Sequence, residues 1–233
     1  MSVDAKSYGS GDDQRHVAVQ DGLLAVLDEA AAEARLTRTT WVKQPGGDGE
    51  LAVLPTTEPE PRVVDDFVRK LAAALRHHNR DLRPERRLRL RVAIHHGNAM
   101  PASNGFSGQG VVVVSRLVSS QPIRKALIAS DGDLAVIVSR QVFMDTVIQG
   151  HTSFDPNAFR KVRIQNKEFS DDAWIWIPDG DVHALDLSAD PADLPFPGEP
   201  VTPPPRTGHP ATVHNEFHGN VEAPNSVFGI SYH

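Results

Sequence analysis

Apolar residues recur along the chain at two spacings, one helical and one alternating, and the switches between them mark out the elements. Ser2 to Ala5 reads as a short strand. From about Asp13 to Ala34, Val19, Leu23, Val26, Leu27, Ala30 and Ala34 fall on one stripe of a long amphipathic helix. Thr39 to Gln44 and Leu51 to Leu54 predict two strands, joined by the hairpin signal Pro45-Gly46-Gly47-Asp48-Gly49. A second helix, about Val63 to Arg80, buries Val64, Phe67, Leu71, Ala74 and Leu75. Leu88 to His95 alternates Leu88, Leu90, Val92 and Ile94 with Arg89 and Arg91, as a half-buried strand does.

A glycine-rich loop from Gly97 to Gly110 leads into Val111 to Leu117, a strand by β-propensity alone. A helical turn at Pro122 to Ala129, a strand at Leu134 to Val138, a helix near Arg140 to Ile148, and strands at Val162 to Gln165 and Ala173 to Ile177 complete the body. The order β-α-β-β-α-β followed by more α and β predicts an α+β protein with a ferredoxin-like core and additions.

Periodic pattern ends near Pro178, and eight of the 18 prolines fall between Pro191 and Pro210. The expected division is a folded domain over 1–178, a proline-rich acidic linker over 179–212 and a short interaction segment over 213–233. Charge divides the same way. The net charge of -6 resides in residues 181–233, where seven acids meet only Arg206, leaving 23 acids and 23 bases upstream. Neither part has the basic footprint of a nucleic-acid binder. The chain has no cysteine, which excludes disulfides, thiolate metal sites and a cysteine nucleophile. With no apolar run of membrane length and no signal-peptide pattern at Met1-Ser2-Val3-Asp4, the expectation is a cytoplasmic protein without a membrane partner.

Two carboxylates stand out by position, Asp4 after the first strand and Asp48 in the hairpin. Neighbouring strands would project both from one edge, where two acids suit a divalent cation such as Mg²⁺. Read alone, Asp48 equally serves its turn and Asp4 is a terminal acid. Arg116, on the element that follows Gly108 and Gly110, could meet phosphate charge, or be an ordinary surface arginine. The histidine pairs His77-His78 and His95-His96 lack metal-ligand spacing, and Ser115 has no evident triad partners.

Together these residues resemble the catalytic domain of class III nucleotidyl cyclases over roughly Ser2 to Pro178. Asp4-Ala5-Lys6-Ser7-Tyr8 is similar to that family's strand ending in a metal-binding Asp followed by an aromatic, and Asp48, 44 residues on, to its hairpin metal Asp. Leu90 to Gly97 resembles the strand ending in Ile-His-x-Gly. Gly108 to Leu117 resembles the helix Gly-x-x-Val-Asn-x-x-x-Arg, so the resemblance overrules propensity and predicts a helix over Val111 to Ser119. It implies Mg²⁺ or Mn²⁺ at Asp4 and Asp48, a nucleoside triphosphate as ligand, Arg116 as the catalytic arginine, and a homodimer, since the family builds its site from two chains.

Departures from the family pattern are equally specific. Val112 stands where the resemblance implies the transition-state Asn, Gln44 where it implies a base-reading Lys, and Gly105 where it implies the partner base-reading Asp or Cys. Lys167 is the candidate for a late phosphate-contacting base. The expectation is a divergent, degenerate cyclase-like domain that binds metal-nucleotide in intracellular signalling, the alternatives being an active homodimeric cyclase and a ligand-free interaction domain. Residues 213–233 resemble bacterial amyloid-signalling motifs likened to RHIM sequences, through Asn215-x-Phe217-x-Gly219-x-Val221, Pro224 and Gly229-Ile230, which implies an effector partner. Only three residues precede Asp4, fewer than the about five or six of an ordinary strand. Either the sequence begins downstream of the true start or half a central strand is missing.

Overall fold

A computed structural model of the chain describes residues 1–6, 13–103, 105–166 and 169–187. The shortest strands of its main sheet are β1 (Ser2–Ala5) and β2 (Val42–Pro45), followed in the chain by β3 (Gly49–Val53) and β4 (Leu90–Ile94). A separate two-stranded hairpin, β5 (Met100–Ala102) with β6 (Gly105–Ser107), precedes β7 (Leu134–Ser139), β8 (Arg160–Asn166) and β9 (Phe169–Trp176). The seven-stranded sheet has the order β2-β3-β1-β4-β7-β9-β8. Only the β4–β7 pairing is parallel. A parallel pair needs a long crossover, and here it carries the hairpin, α4 (Gln109–Val118) and α5 (Gln121–Ala129).

Period-two alternation sends the strands' side chains into two cores. Val3, Leu90, Val92, Ile94, Val136 and Val138 join the core that contains α1 (Asp13–Glu33) and α3 (Val68–Asn79). Ala93, Ala135, Ile137, Ala173 and Ile175 join the core beneath α4 and α5. β4 is therefore a central strand covered on both faces, not the half-buried strand that its alternating arginines predicted. Arg89 resolves the conflict by directing its Nε to Gly132 O at 2.7 Å and a second donor to Leu127 O.

The π-helical turn at Val63–Phe67 and α3 form one helical run because Val64, Phe67, Val68, Leu71, Ala74 and Leu75 recur at helical spacing and are all buried. Asn79 closes it with a reciprocal pair of hydrogen bonds to the backbone of Leu88, at 2.8 and 2.9 Å, which fixes where β4 starts. Two one-turn helices, α2 (Glu60–Arg62) and α6 (Arg140–Val142), each run into a π-helical turn, at Val63–Phe67 and Phe143–Val147. The valine run is helical, as the family resemblance implied against propensity. Val113, Val114, Leu117 and Val118 are its buried stripe, and β-branching costs a helix only slightly. The glycine-rich segment predicted as a loop holds the β5–β6 hairpin.

Packing continues past Pro178. Val182 is buried, and Arg160 Nη1 reaches Leu185 O at 2.6 Å. Lys167 and residues 188–233, with the 213–233 segment, lie outside the described residues. Among the described residues no helix is long and apolar enough to cross a membrane.

Two ion pairs fasten the first half of the chain. Buried Arg38 meets buried Glu50 through two hydrogen bonds of 2.8 and 3.1 Å, with Asp28 2.8 Å from its Nε. Removing one partner of such a pair costs about 3–5 kcal/mol. Asp65, at the π-helical turn, accepts from Arg69 Nε at 2.6 Å and from the Ser153 backbone N–H. Burial pushes its carboxyl up, but the Ser153 and Arg69 hydrogen bonds outweigh burial and hold it below the usual range.

A depressed carboxylate contributes stability that is complete above the unfolded value, about pH 4, and is lost as pH falls through the folded value. Asp65→Asn is expected to lower stability near neutral pH by about 1–3 kcal/mol. Urea unfolding followed on acidification should show the wild type losing stability below pH ~4 more steeply than the variant, and parallel curves would contradict this role.

Candidate functional site

The hairpin between β2 and β3 brings its turn against the end of β1. Gly46 N–H closes the turn onto Gly49 O at 2.7 Å, and Gln20 of α1 donates to Gly47 O at 2.9 Å. The Ala5 N–H then donates to Asp48 O at 2.7 Å, while Asp4 lies opposite Gly49 in the register. Asp4 and Asp48 thus occupy adjoining positions at one end of the sheet, as the strand-and-hairpin reading expected. Asp48 is partly exposed and makes no ion pair among the described residues.

Asp4 is already paired. On its other side β4 places Arg91 directly opposite, and the Arg91 guanidinium forms an ion pair with the Asp4 carboxylate. Their side chains are 12% and 22% exposed, for Arg91 and Asp4 respectively. Burial, and the charge of Arg124 on α5, pull the Arg91 guanidinium down to about 10. Its Nε is buried without a hydrogen-bond partner among the described residues. Beside this pair, burial and the neighbouring Arg89 hold the Lys6 amine below its ordinary range.

Two carboxylates from adjoining strand ends supply the hard oxygen donors that Mg²⁺ or Mn²⁺ prefers. The donor chemistry therefore fits a divalent ion held by Asp4 and Asp48, with Arg91 seated on one of the two. No group of three His, Asp or Glu side chains that could hold a metal converges anywhere among the described residues, so Asp4 and Asp48 stand as a pair.

The two base-reading positions implied by resemblance also come together. Gly105, at φ +96°, lies so close to Gln44 that a Cβ there would stand 2.1 Å from Gln44 Oε1. The positive φ calls for glycine there, and any other side chain would also push the Gln44 amide aside. Gly108 (φ +118°) begins α4, and a Cβ on it would meet Asn98 O at 2.8 Å. Gly110 N–H donates to that same carbonyl at 3.2 Å, one of the first-turn donors that lack an intrahelical partner. Val112 projects outward at 44% exposure, and Arg116 follows one turn later on the same face, half-buried.

A cavity of about 490 Å³ lies at the opposite end of β1; Asn98 and Gly110 line it, whereas Asp4, Asp48, Arg91, Val112 and Arg116 do not. Its walls include Met1, Leu51, Leu54, Ile94, Val111 and Val114, with Glu58, Glu60, His95 and His96 at the polar side. His95 Nδ1 lies 2.9 Å from Ser139 Oγ, and burial, with positive charge nearby, holds its imidazole below the ordinary range. Glu60 takes His96 Nδ1 at 2.9 Å and the Thr146 hydroxyl. His95 and His96 are held in the wall by these contacts.

The residue that sequence reasoning missed is Arg91. Alternation placed it on an outer face; its signal was an arginine at a strand position whose register partner is an aspartate.

No protein-family model matches the chain, and no curated protein matches it in sequence. Solved structures do match. One is an adenylate/guanylate cyclase/hydrolase from Silicibacter pomeroyi, 21% identical with a TM-score of 0.54, the match covering 76% of this chain and 95% of that one. A guanylyl cyclase is 15% identical with a TM-score of 0.50, over 80% and 94% of the two chains. The catalytic core of a rhodopsin-guanylyl cyclase with converted specificity, in complex with ATPαS, is 14% identical with a TM-score of 0.50, over 75% and 90%. At such identities the likeness is one of fold: the mixed α+β architecture with its seven-stranded sheet is that of solved adenylate and guanylate cyclase domains.

Proposed function

We propose that the chain is a divergent nucleotidyl cyclase-like domain that binds a metal-nucleotide in signalling and turns it over poorly. The observation that carries this reading is a division within the site. Asp4 and Asp48 adjoin at the end of β1, whereas Val112 presents only hydrocarbon where the resemblance implies an asparagine amide.

Asp4 and Asp48 would hold Mg²⁺ or Mn²⁺, which when bound neutralises phosphate charge. Arg116, one turn beyond Val112 on α4, would meet the negative charge of the phosphates. Cyclisation also requires the ribose 3′-oxygen in line with the α-phosphorus, and positioning of that kind is worth orders of magnitude in rate. Val112 can neither donate nor accept a hydrogen bond, so it cannot supply that positioning. Gln44 against Gly105 offers a neutral amide and backbone in place of a charged pair, which favours loose selection of the base.

Val42 on β2, Met100 on β5 and Val112 on α4 are exposed apolar side chains on elements that carry or flank the site. They support a second copy of the chain as the partner that covers it. This arrangement with Arg116 also favours the alternative of an active homodimeric cyclase. Residues 213–233, beyond the proline-rich stretch, would then tether an effector.

Calorimetry with Mg-ATP and Mg-GTP is expected to detect binding by the wild type and a loss of about tenfold or more in Asp48→Asn; absence of binding by the wild type would favour a ligand-free interaction domain. Incubation with Mg²⁺ or Mn²⁺ and each nucleoside triphosphate, followed for cyclic product and pyrophosphate, should give slow turnover that Val112→Asn raises by about tenfold or more. Robust turnover by the wild type would overturn the degenerate reading in favour of the active one.

A further inference from the structure

Arg91 occupies a place that the fold otherwise fills with small or apolar side chains. Ala93, next on the same face of β4, and Ala135, opposite Arg91 on β7, are fully buried. A guanidinium drawn into such surroundings needs a counter-charge. Its only ion-pair partner among the described residues is Asp4, and the buried Nε has no acceptor. Arg124 on α5 adds positive charge close by. The fold thus supplies Arg91 with one carboxylate and no alternative seat.

We infer that Arg91 is a tethered cation that competes with a divalent ion for the Asp4 carboxylate, so that the free chain binds Mg²⁺ or Mn²⁺ weakly although both acids are in place. This rests on the reading of Asp4 and Asp48 as the metal acids. An ion approaching Asp4 meets the like charge of the guanidinium a few ångströms away, in a partly buried site where such repulsion is strong. Asp48 remains open, but Mg²⁺ held by one carboxylate keeps most of its waters and binds loosely. Moving Arg91 off Asp4 leaves a buried guanidinium unpaired, and that cost is charged against every ion that binds.

The test is a titration of Mn²⁺ into the nucleotide-free full-length chain, with free and bound ion read by electron paramagnetic resonance. Arg91→Gln is expected to bind about tenfold more tightly than the wild type or better. Arg91→Lys, which keeps the charge, should stay weak, and adding Asp4→Asn to Arg91→Gln should cancel the gain. A measurement on the wild type alone guards against a variant that fails to fold. In ¹⁵N-arginine spectra the Arg91 Nε–H resonance should shift as Mg²⁺ is raised, because the guanidinium changes partners. Equal Mn²⁺ affinity in wild type and Arg91→Gln would overturn the competition while leaving the acids as ligands. Binding by neither, with the Arg91 resonance unmoved, would overturn the competition and the metal reading together.

Discussion

The approach of β3 to β1 at Gly49 is the constraint on which the proposed site depends. A Cβ at Gly49 would stand 2.3 Å from Val3 O, so no other residue lets the two backbones come this near. Given that approach, the Asp48 turn falls beside Ala5 and Asp4 falls opposite Gly49. On its other edge β1 pairs with β4, which sets Arg91 against Asp4. A strand of four residues held on both sides cannot slip by one place without turning Val3 and Ala5 out of the core. One glycine contact therefore fixes what lies on each side of Asp4.

Much of this fold was legible in the chain because its periodicities are clean. The stripe from Val64 to Leu75 could bury nothing unless it was helical, and the glycine-rich hairpin signal at residues 45–49 lies where a turn forms. The misreadings have local causes. Val111 to Val114 looks like a strand because propensity counts residue types, while the helix is decided by Gly108 and Gly110 meeting Asn98 O and by the burial of Val113, Val114, Leu117 and Val118. β4 looks half-buried because arginine normally means solvent. Arg89, just before the strand, and Arg91 within it instead satisfy partners from distant parts of the chain, Gly132 for the first and Asp4 for the second. The site was legible only in part, for the same reason: Asp4 and Asp48 carry a recognisable spacing, but the occupation of Asp4 depends on a pairing 87 residues away.

The acids and the cavity occupy opposite ends of β1, and their chemistries differ accordingly. At the cavity, the walls are largely apolar, and the histidines at its polar side are already bonded to Ser139 and Glu60. At the other end, Asp4 with its partner Arg91 and the partly exposed Asp48 make a charged surface at the strand termini. The first arrangement suits a largely apolar occupant, the second a charged one.

The outermost strands carry a consequence for how copies of this chain can meet. β8 presents Lys161 and Arg163, both bound to Asp172 on β9, along its free edge. β2 ends the sheet on the other side with Lys43 and Pro45, a charge and a residue that has no N–H to lend to a ladder. Edges guarded in this way resist accepting another strand. The described sheet is thus guarded against backbone-to-backbone growth at both of its edges.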